Sequence, residues 1–325
     1  MKQNKRQEGG STKVKLTLIL LIIVALTVFI LVDMAINSVK PKPLKMISYE
    51  KSVKGSAFVR TNQALIKQMM NNWMPNDVFW PTVLLDNMPN FQLGELEVVR
   101  YNVRVLRDNL SRMRTTDKLD PMVEKAFTAL ANDPFKWWFP SAESKWKEAY
   151  DHLERYHQNL IKGQSSFYPR ADNLIELLSQ YASLMGGANT RLIHAPHDIR
   201  EVLALEGEKG EKASKELVKV NIPWYRVDDN FYYAQGVAYA LNESFKAIRT
   251  DFLNVLIDKN SLVLVDKILE DLARCNFEPL IVFNGEPGSI FANHSLNLSS
   301  IFNDCLLYTS PSPRDLSTSR MPSSA

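Results

Sequence analysis

The chain has 325 residues, 45% of them hydrophobic and 23% charged, which excludes a disordered polymer and allows one large domain or two small ones. Its 39 Lys and Arg against 36 Asp and Glu leave a formal charge of +3, too balanced for the clustered basic face of a nucleic-acid binder. Two cysteines exclude a disulfide framework and a four-thiolate zinc site.

Residues 1–15 hold five bases against one acid and read as a basic cytoplasmic tail. Leu16 to Val32 then runs for seventeen residues without a charge. At about 1.5 Å per residue this spans roughly 25 Å, and Val14 and Met34 extend it toward the hydrocarbon thickness. A cleaved secretory core is shorter, about 7–15 residues, and is followed by a small-residue cleavage site. None follows here, so the expectation is an uncleaved transmembrane signal anchor over 16–34, with the lipid bilayer as its partner. Lys13 and Lys15 abut the span, and long downstream domains translocate largely regardless of charge. The N-terminus is therefore expected in the cytoplasm. The body is expected in the periplasm, on a single-pass protein of the bacterial inner membrane.

Residues 35–56 read as a linker. Its Val39–Leu44 stretch, VKPKPL, is expected to be extended, solvated and a spacer between membrane and body. The body, 57–304, reads as mainly α: an all-helical, bundle-like domain after the single transmembrane helix. A short helix is expected over 57–72. Trp73 to Gln92 is rich in aromatics and prolines, and Pro75, Pro81 and Pro89 prevent one continuous helix. It reads as a loop across the core, or as an interaction groove formed by Trp73, Asp77, Phe79, Trp80, Asp86 and Asn87. Leu93, Leu96, Val99, Val103, Leu106, Leu110 and Met113 recur at three and four residues and predict an amphipathic helix. Arg100, Arg104 and Arg107 form a row on another face. It reads as a solvated face balanced by neighbouring acids, or as an anion site for phosphate or a carboxylated glycan.

Asp120-Pro121 with Glu124 marks a helix start, and Asp133-Pro134 marks its stop. Ser141 is placed to cap the next helix, which ends at Lys162-Gly163. A further helix carries Leu174, Leu177, Leu178, Tyr181 and Leu184 and is expected to close at Gly186-Gly187. Helix is expected again over 198–205, then a charged loop or frayed helix end over 206–216. A long helix follows Asp228-Asp229, from Phe231 to Val255. Ser261 is placed to cap a last one through Leu272. Residues 279–284, PLIVFN, are the one short strand candidate.

The chemistry-bearing residues form no recognisable catalytic constellation. His152, His157, His194, His197 and His294 lack metal-ligand spacing and read as surface or capping residues. No nucleophile elbow or phosphate loop occurs. Cys275 reads as a small buried residue rather than a thiolate. Glu143-Ser144 resembles the Glu-Ser pair of lytic transglycosylases, but the signature that should follow it is missing, and a first-turn acid is favoured by the helix dipole alone. No cofactor and no metal are expected.

Residues Cys305 to Asp315, CLLYTSPSPRD, match one frame of a transposase sequencing adapter, and Arg320 to Ala325 match its downstream part. Residues 305–325 are therefore expected to be adapter-derived rather than native. Four earlier segments carry a family resemblance: WMPNDVFWPTVLLDNMPNFQLGELEVVR (73–100), LRDNLSRMRTTDKLDP (106–121), VDDNFYYAQGVAYAL (227–241) and FNGEPGSIFANHSL (283–296). On these the chain resembles the bacterial domain of unknown function family 2333. That resemblance implies a single-anchor envelope protein with a mostly helical outer domain, and brings no activity or site. The reading is a non-enzymatic interaction or scaffold module that meets an envelope protein or the cell wall. The alternatives are a peptidoglycan-active enzyme or an anion-binding envelope sensor.

Overall fold

The computed structural model describes residues 4–44, 49–50, 52–78, 81–114, 116–193, 197–203, 215–221, 228–279, 282 and 293–309. Helix α1, Asn4–Asn37, contains the uncharged run. Its segment Lys15–Asn37 is long and apolar enough to cross a membrane and is not buried by the rest of the chain. The body is mainly α. Helix α2 is Ser56–Asn71, α3 is Asn87–Val105 and α4 is Pro121–Leu130. Then come α5, Ala142–Ile161, and α6, Ala171–Ile193. After a two-stranded ribbon follow α7, Asp229–Asp251, α8, Leu253–Asp258, α9, Leu262–Arg274, and α10, His294–Thr309.

Local signals set many of the ends. Asp120 accepts the backbone N–H groups of Met122 and Val123, with Pro121 in the first position of α4. Ser141 accepts from Ser144 N–H at the start of α5, and Gly163 takes the left-handed conformation just past its end, at φ 69°. Pro89 falls in the first turn of α3, where its missing N–H has no helical partner to lose.

Five expectations about the helices are corrected. Helix α6 does not close at Gly186-Gly187 but continues to Ile193. Each glycine costs about 1 kcal/mol in a helix, and burial of Met185, Ala188 and Leu192 beyond and beside them outweighs that. The helix expected over 198–205 is instead strand β1, His197–Leu203. It pairs antiparallel with β2, Lys215–Asn221, with His197 opposite Asn221. Its partner lies outside any local window, so helical spacing of Ile199, Val202 and Leu203 could not decide between the two states. Met113 lies beyond α3 and its following π-type turn, Leu106–Leu110, and is exposed. The long α7 pattern breaks at Phe252, whose φ of −104° and ψ of 15° are not helical. Ser261 occupies the cap position of α9 without capping it, because its hydroxyl donates to Lys259 O. The charged 206–216 loop falls mainly outside the described residues, although Lys215 and Glu216 open β2. Most of 279–284, and 310–325, also lie outside them.

One hydrophobic cluster joins α2 through α10. At its centre α3 crosses α7 with no room for side chains. A Cβ on Gly94 would lie 2.1 Å from Tyr233 O, and one on Gly236 would lie 1.9 Å from Phe91 O. Beside this crossing, Asn102 Nδ2 donates to Asn62 Oδ1 at 2.9 Å and to Ser244 Oγ at 2.8 Å. Tyr181 Oη donates to Asn102 Oδ1 at 2.5 Å. This buried network ties α2, α3, α6 and α7 into one arrangement, since a slip of any helix would strand several desolvated polar groups.

The linker is only partly the solvated spacer expected: Val39, Lys42 and Pro43 are exposed, and the other residues of 39–44 are half-buried. Lys40 keeps only 8% of its side chain exposed, 3.7 Å from Glu278 and 5.3 Å above the Tyr232 ring. Tyr239 Oη donates to Lys42 O at 3.0 Å, and Leu44 packs on the core. The prolines keep the strand extended, but its side chains find partners on α7, so it lies along the body as a strap.

Candidate functional site

The aromatic and proline-rich segment divides between core and surface. Trp73 is 4% exposed. Its ring meets Trp146 edge-on at 5.5 Å, and its Nε1–H donates to Pro134 O at 3.0 Å. It is therefore part of the interior rather than of a surface groove. Phe79 and Trp80 lie outside the described residues. Asp77 and Asn87 are half-buried, and Asp86 is exposed at the N-terminal end of α3.

The fold brings Asp86 to a pair the segment does not contain. Carboxylate oxygens of Asp86, Asp228 and Asp229 lie within 4.8 Å of one another. Asn90 Nδ2 donates to Asp229 Oδ1 at 2.9 Å. Burial, and then the Asp86 charge, hold the Asp228 carboxyl above its ordinary range. Three oxygen donors this close match the preference of a hard divalent cation such as Ca²⁺ or Mg²⁺. The cluster was hidden in sequence because Asp86 and Asp228 meet only through the packing of α3 on α7.

The arginine row is mostly committed within the fold. Arg100 Nε donates to Leu130 O at 2.8 Å and Nη2 to Asn132 O at 2.7 Å, closing the C-terminal end of α4. Arg107 pairs with Asp108 at 2.8 Å and Glu124 at 3.6 Å, and its guanidinium lies 3.8 Å from the Phe127 ring centre. Arg104 is exposed and shares with Arg100 and Glu97 a depression of about 290 Å³ over Tyr101 and Phe127. An anion there would meet the exposed Arg104 guanidinium but also the Glu97 carboxylate. Glu143 accepts a hydrogen bond from Asn76 Nδ2 at 3.0 Å in the first turn of α5.

His157 corrects the surface reading, because its side chain is wholly buried. Its Nε2 lies 2.8 Å from Ser56 Oγ and 3.3 Å from Glu50. The spacing is that of a nucleophile and its base, but Ser56 is also wholly buried and Nδ1 finds no orienting partner among the described residues. Burial, then the Arg60 charge, keep the imidazole below its ordinary pKa. The pair joins α2 to α5 and gives no substrate access. Beside it, Asp251 accepts the Gly55 N–H at 3.1 Å and the Phe58 N–H at 2.7 Å, so the last residue of α7 caps α2. Burial still pushes its carboxyl up to about 6. Cys275 is 1% exposed and burial holds its thiol well above the ordinary value, in keeping with a packing role.

The remaining features gather where α1 meets the body. Asn72 Nδ2 donates to Asn37 Oδ1 at 2.9 Å, and the 3-10 turn Thr82–Leu84 touches α1. Under this junction lies a cavity of about 120 Å³ lined by Ile36, Asn37, Val39, Gln68, Gln92 and Glu95 among others. Glu95 is 1% exposed, and burial pushes its carboxyl up to about 8. Its Oε1 and the nearby Gln68 Nε2 have no hydrogen-bond partner among the described residues. A buried acid in the middle of an α3 turn gave no sequence signal, since Glu97 two residues on belongs to the solvated face.

Sequence reasoning also passed over the α4–α5 connection, DPFKWWFP at 133–140. Phe135, Trp137, Trp138 and Phe139 are 57%, 52%, 69% and 84% exposed. A signal was present: four aromatics in five residues, between two helix ends and outside any helical periodicity.

A family model described as an uncharacterized protein conserved in bacteria (DUF2333) matches residues 4–304. No curated protein and no solved structure matches the chain.

Proposed function

The chain belongs to this bacterial family of uncharacterised proteins, and from that premise we propose a membrane-tethered, non-enzymatic interaction module of the cell envelope. In this reading α1 remains in the inner membrane, the N-terminus faces the cytoplasm and the helical body stands in the periplasm. The observation that carries it is the contrast between α1 and the body. Leu16, Ile19, Leu20 and Ile23 on α1 are each more than half exposed, in one unbroken apolar run, while most apolar residues of the body are buried in a main core and a small second cluster. A segment of 23 residues this apolar, with none of its most apolar stretch buried, has the length and composition of a bilayer span. The strap at 39–44 then fixes the body to its anchor rather than letting it swing.

Polar residues near that junction are the proposed contact face: Asp77, Asp86 and Asn87, with Asp228 and Asp229 brought alongside. An envelope protein is the proposed partner. Alkaline phosphatase fused after Asp304 should be active in cells, and a fluorescent protein that matures only in the cytosol should be dark there. A dark phosphatase with a bright cytosolic reporter refutes the topology. A photo-crosslinking residue in place of Asp77 or Asn87 should give one discrete adduct in cells, and absence of any adduct at both positions refutes the contact face. Full-length protein incubated with purified peptidoglycan should release no soluble fragments; release would replace the interaction reading with the enzymatic one.

A further inference from the structure

The aromatic α4–α5 connection is placed beside the end of α1. Asn72 bonds Asn37 at the end of α1, and the next residue, Trp73, bonds Pro134 at the start of the connection. Asn76 then holds Lys136 O at 3.2 Å. One short stretch of backbone thus fixes both the helix and the aromatic loop to the same pole of the body. The 3-10 turn at this pole exposes Val83 and Leu84, 47% and 60%, and touches α1. Along α1 the half-covered positions Ile30, Asp33, Met34 and Asn37 recur at three and four residues. The body therefore reaches alongside the last turn of the apolar run, not merely up to its end.

Four rings of about 150–250 Å² each, exposed to this degree, leave on the order of 500 Å² of apolar surface in water, as large as the biggest patches on typical monomers. Trp rings favour the boundary between headgroups and acyl chains, where an apolar body and a polar N–H are both satisfied. Lys136, between Phe135 and Trp137, adds a cation on a stem that can reach anionic headgroups. The strap removes the slack that would let the body stand away from the membrane.

We infer that Phe135, Trp137, Trp138 and Phe139, with Val83 and Leu84, form a second membrane contact that inserts into the headgroup boundary next to α1. The occupant is the bilayer surface itself. This inference rests on α1 being a membrane anchor, and its test separates the two. Full-length protein carrying Phe139→Cys is labelled with a polarity-sensitive nitrobenzoxadiazole dye; Cys275 and Cys305 are 1% and 0% exposed and are shielded from the reagent. The comparison protein carries Lys162→Cys, at the far end of α5, about 30 Å along that helix. Both are reconstituted in vesicles of phosphatidylethanolamine and phosphatidylglycerol with a spin label at carbon 5 of an acyl chain. Dye at 139 should be quenched at least threefold more than dye at 162, and dye on Trp138→Cys should behave as at 139. Equal quenching at all three positions, in vesicles that keep the protein through an alkaline carbonate wash, overturns the second contact alone. Loss of the protein into that wash overturns the anchor and the contact with it.

Discussion

Replacing Glu95 with Gln should stabilise the protein more the higher the pH. Glu95 titrates at an ordinary value of 4.5 when free and at about 8 in the fold. Folding therefore takes up a proton throughout that window. The uncharged acid contributes no penalty below about 4.5, and stability then falls by about 1.4 kcal/mol per pH unit until the folded acid also ionises near 8. The whole window amounts to at most about 5 kcal/mol. An amide has the shape of the protonated acid and cannot ionise. Glu95→Gln should match wild type within about 1 kcal/mol at pH 5 and exceed it by about 3 kcal/mol at pH 8. For a protein of this size that is a rise in melting temperature of roughly 6–12 °C. The assay is thermal or urea unfolding of the full-length protein and the variant at pH 5, 6.5 and 8. Burial shifts Asp251 up to about 6 and His157 downward, but both proteins contain these groups, so their pH dependence cancels in the difference. A gap that stays flat from pH 5 to 8 would refute a buried, protonated Glu95.

Three further outcomes follow from the packing. Gly94→Ala or Gly236→Ala pushes a methyl into the backbone of the facing helix, at 2.1 and 1.9 Å, and each should cost about 3 kcal/mol in unfolding experiments, the upper end of the usual overpacking range. A tolerated alanine at both sites would refute the close α3–α7 crossing. Asp251→Ala strips the two N–H groups at the start of α2 of their acceptor and should lower stability by about 1–3 kcal/mol, with amide exchange rising first at Gly55 and Phe58. Burial pushes the Cys305 thiol up to about 12 and holds that of Cys275 higher than its usual value. Neither should react with a disulfide reagent at pH 8 in the native protein, and both should react in denaturant.

The apolar run of α1, the caps at Asp120 and Ser141, and the helical class of the body were legible in the sequence, because each depends on residues within a few positions of one another. The family was legible from four ordered segments for the same reason. Tertiary structure decided the rest. Two glycines became mid-helix residues of α6 because burial of Met185, Ala188 and Leu192 outweighed their local cost, and 197–203 became a strand because its partner lies twelve residues further on. Lys40 was drawn from solvent onto Tyr232, which turned a spacer into a strap. The acidic trio joins residues more than 140 positions apart, and the aromatic loop acquired its meaning only when Asn72 and Trp73 set it beside Asn37. Local spacing records what a segment can become; which face meets water, lipid or another helix is settled by distant residues that compete to bury the same surface.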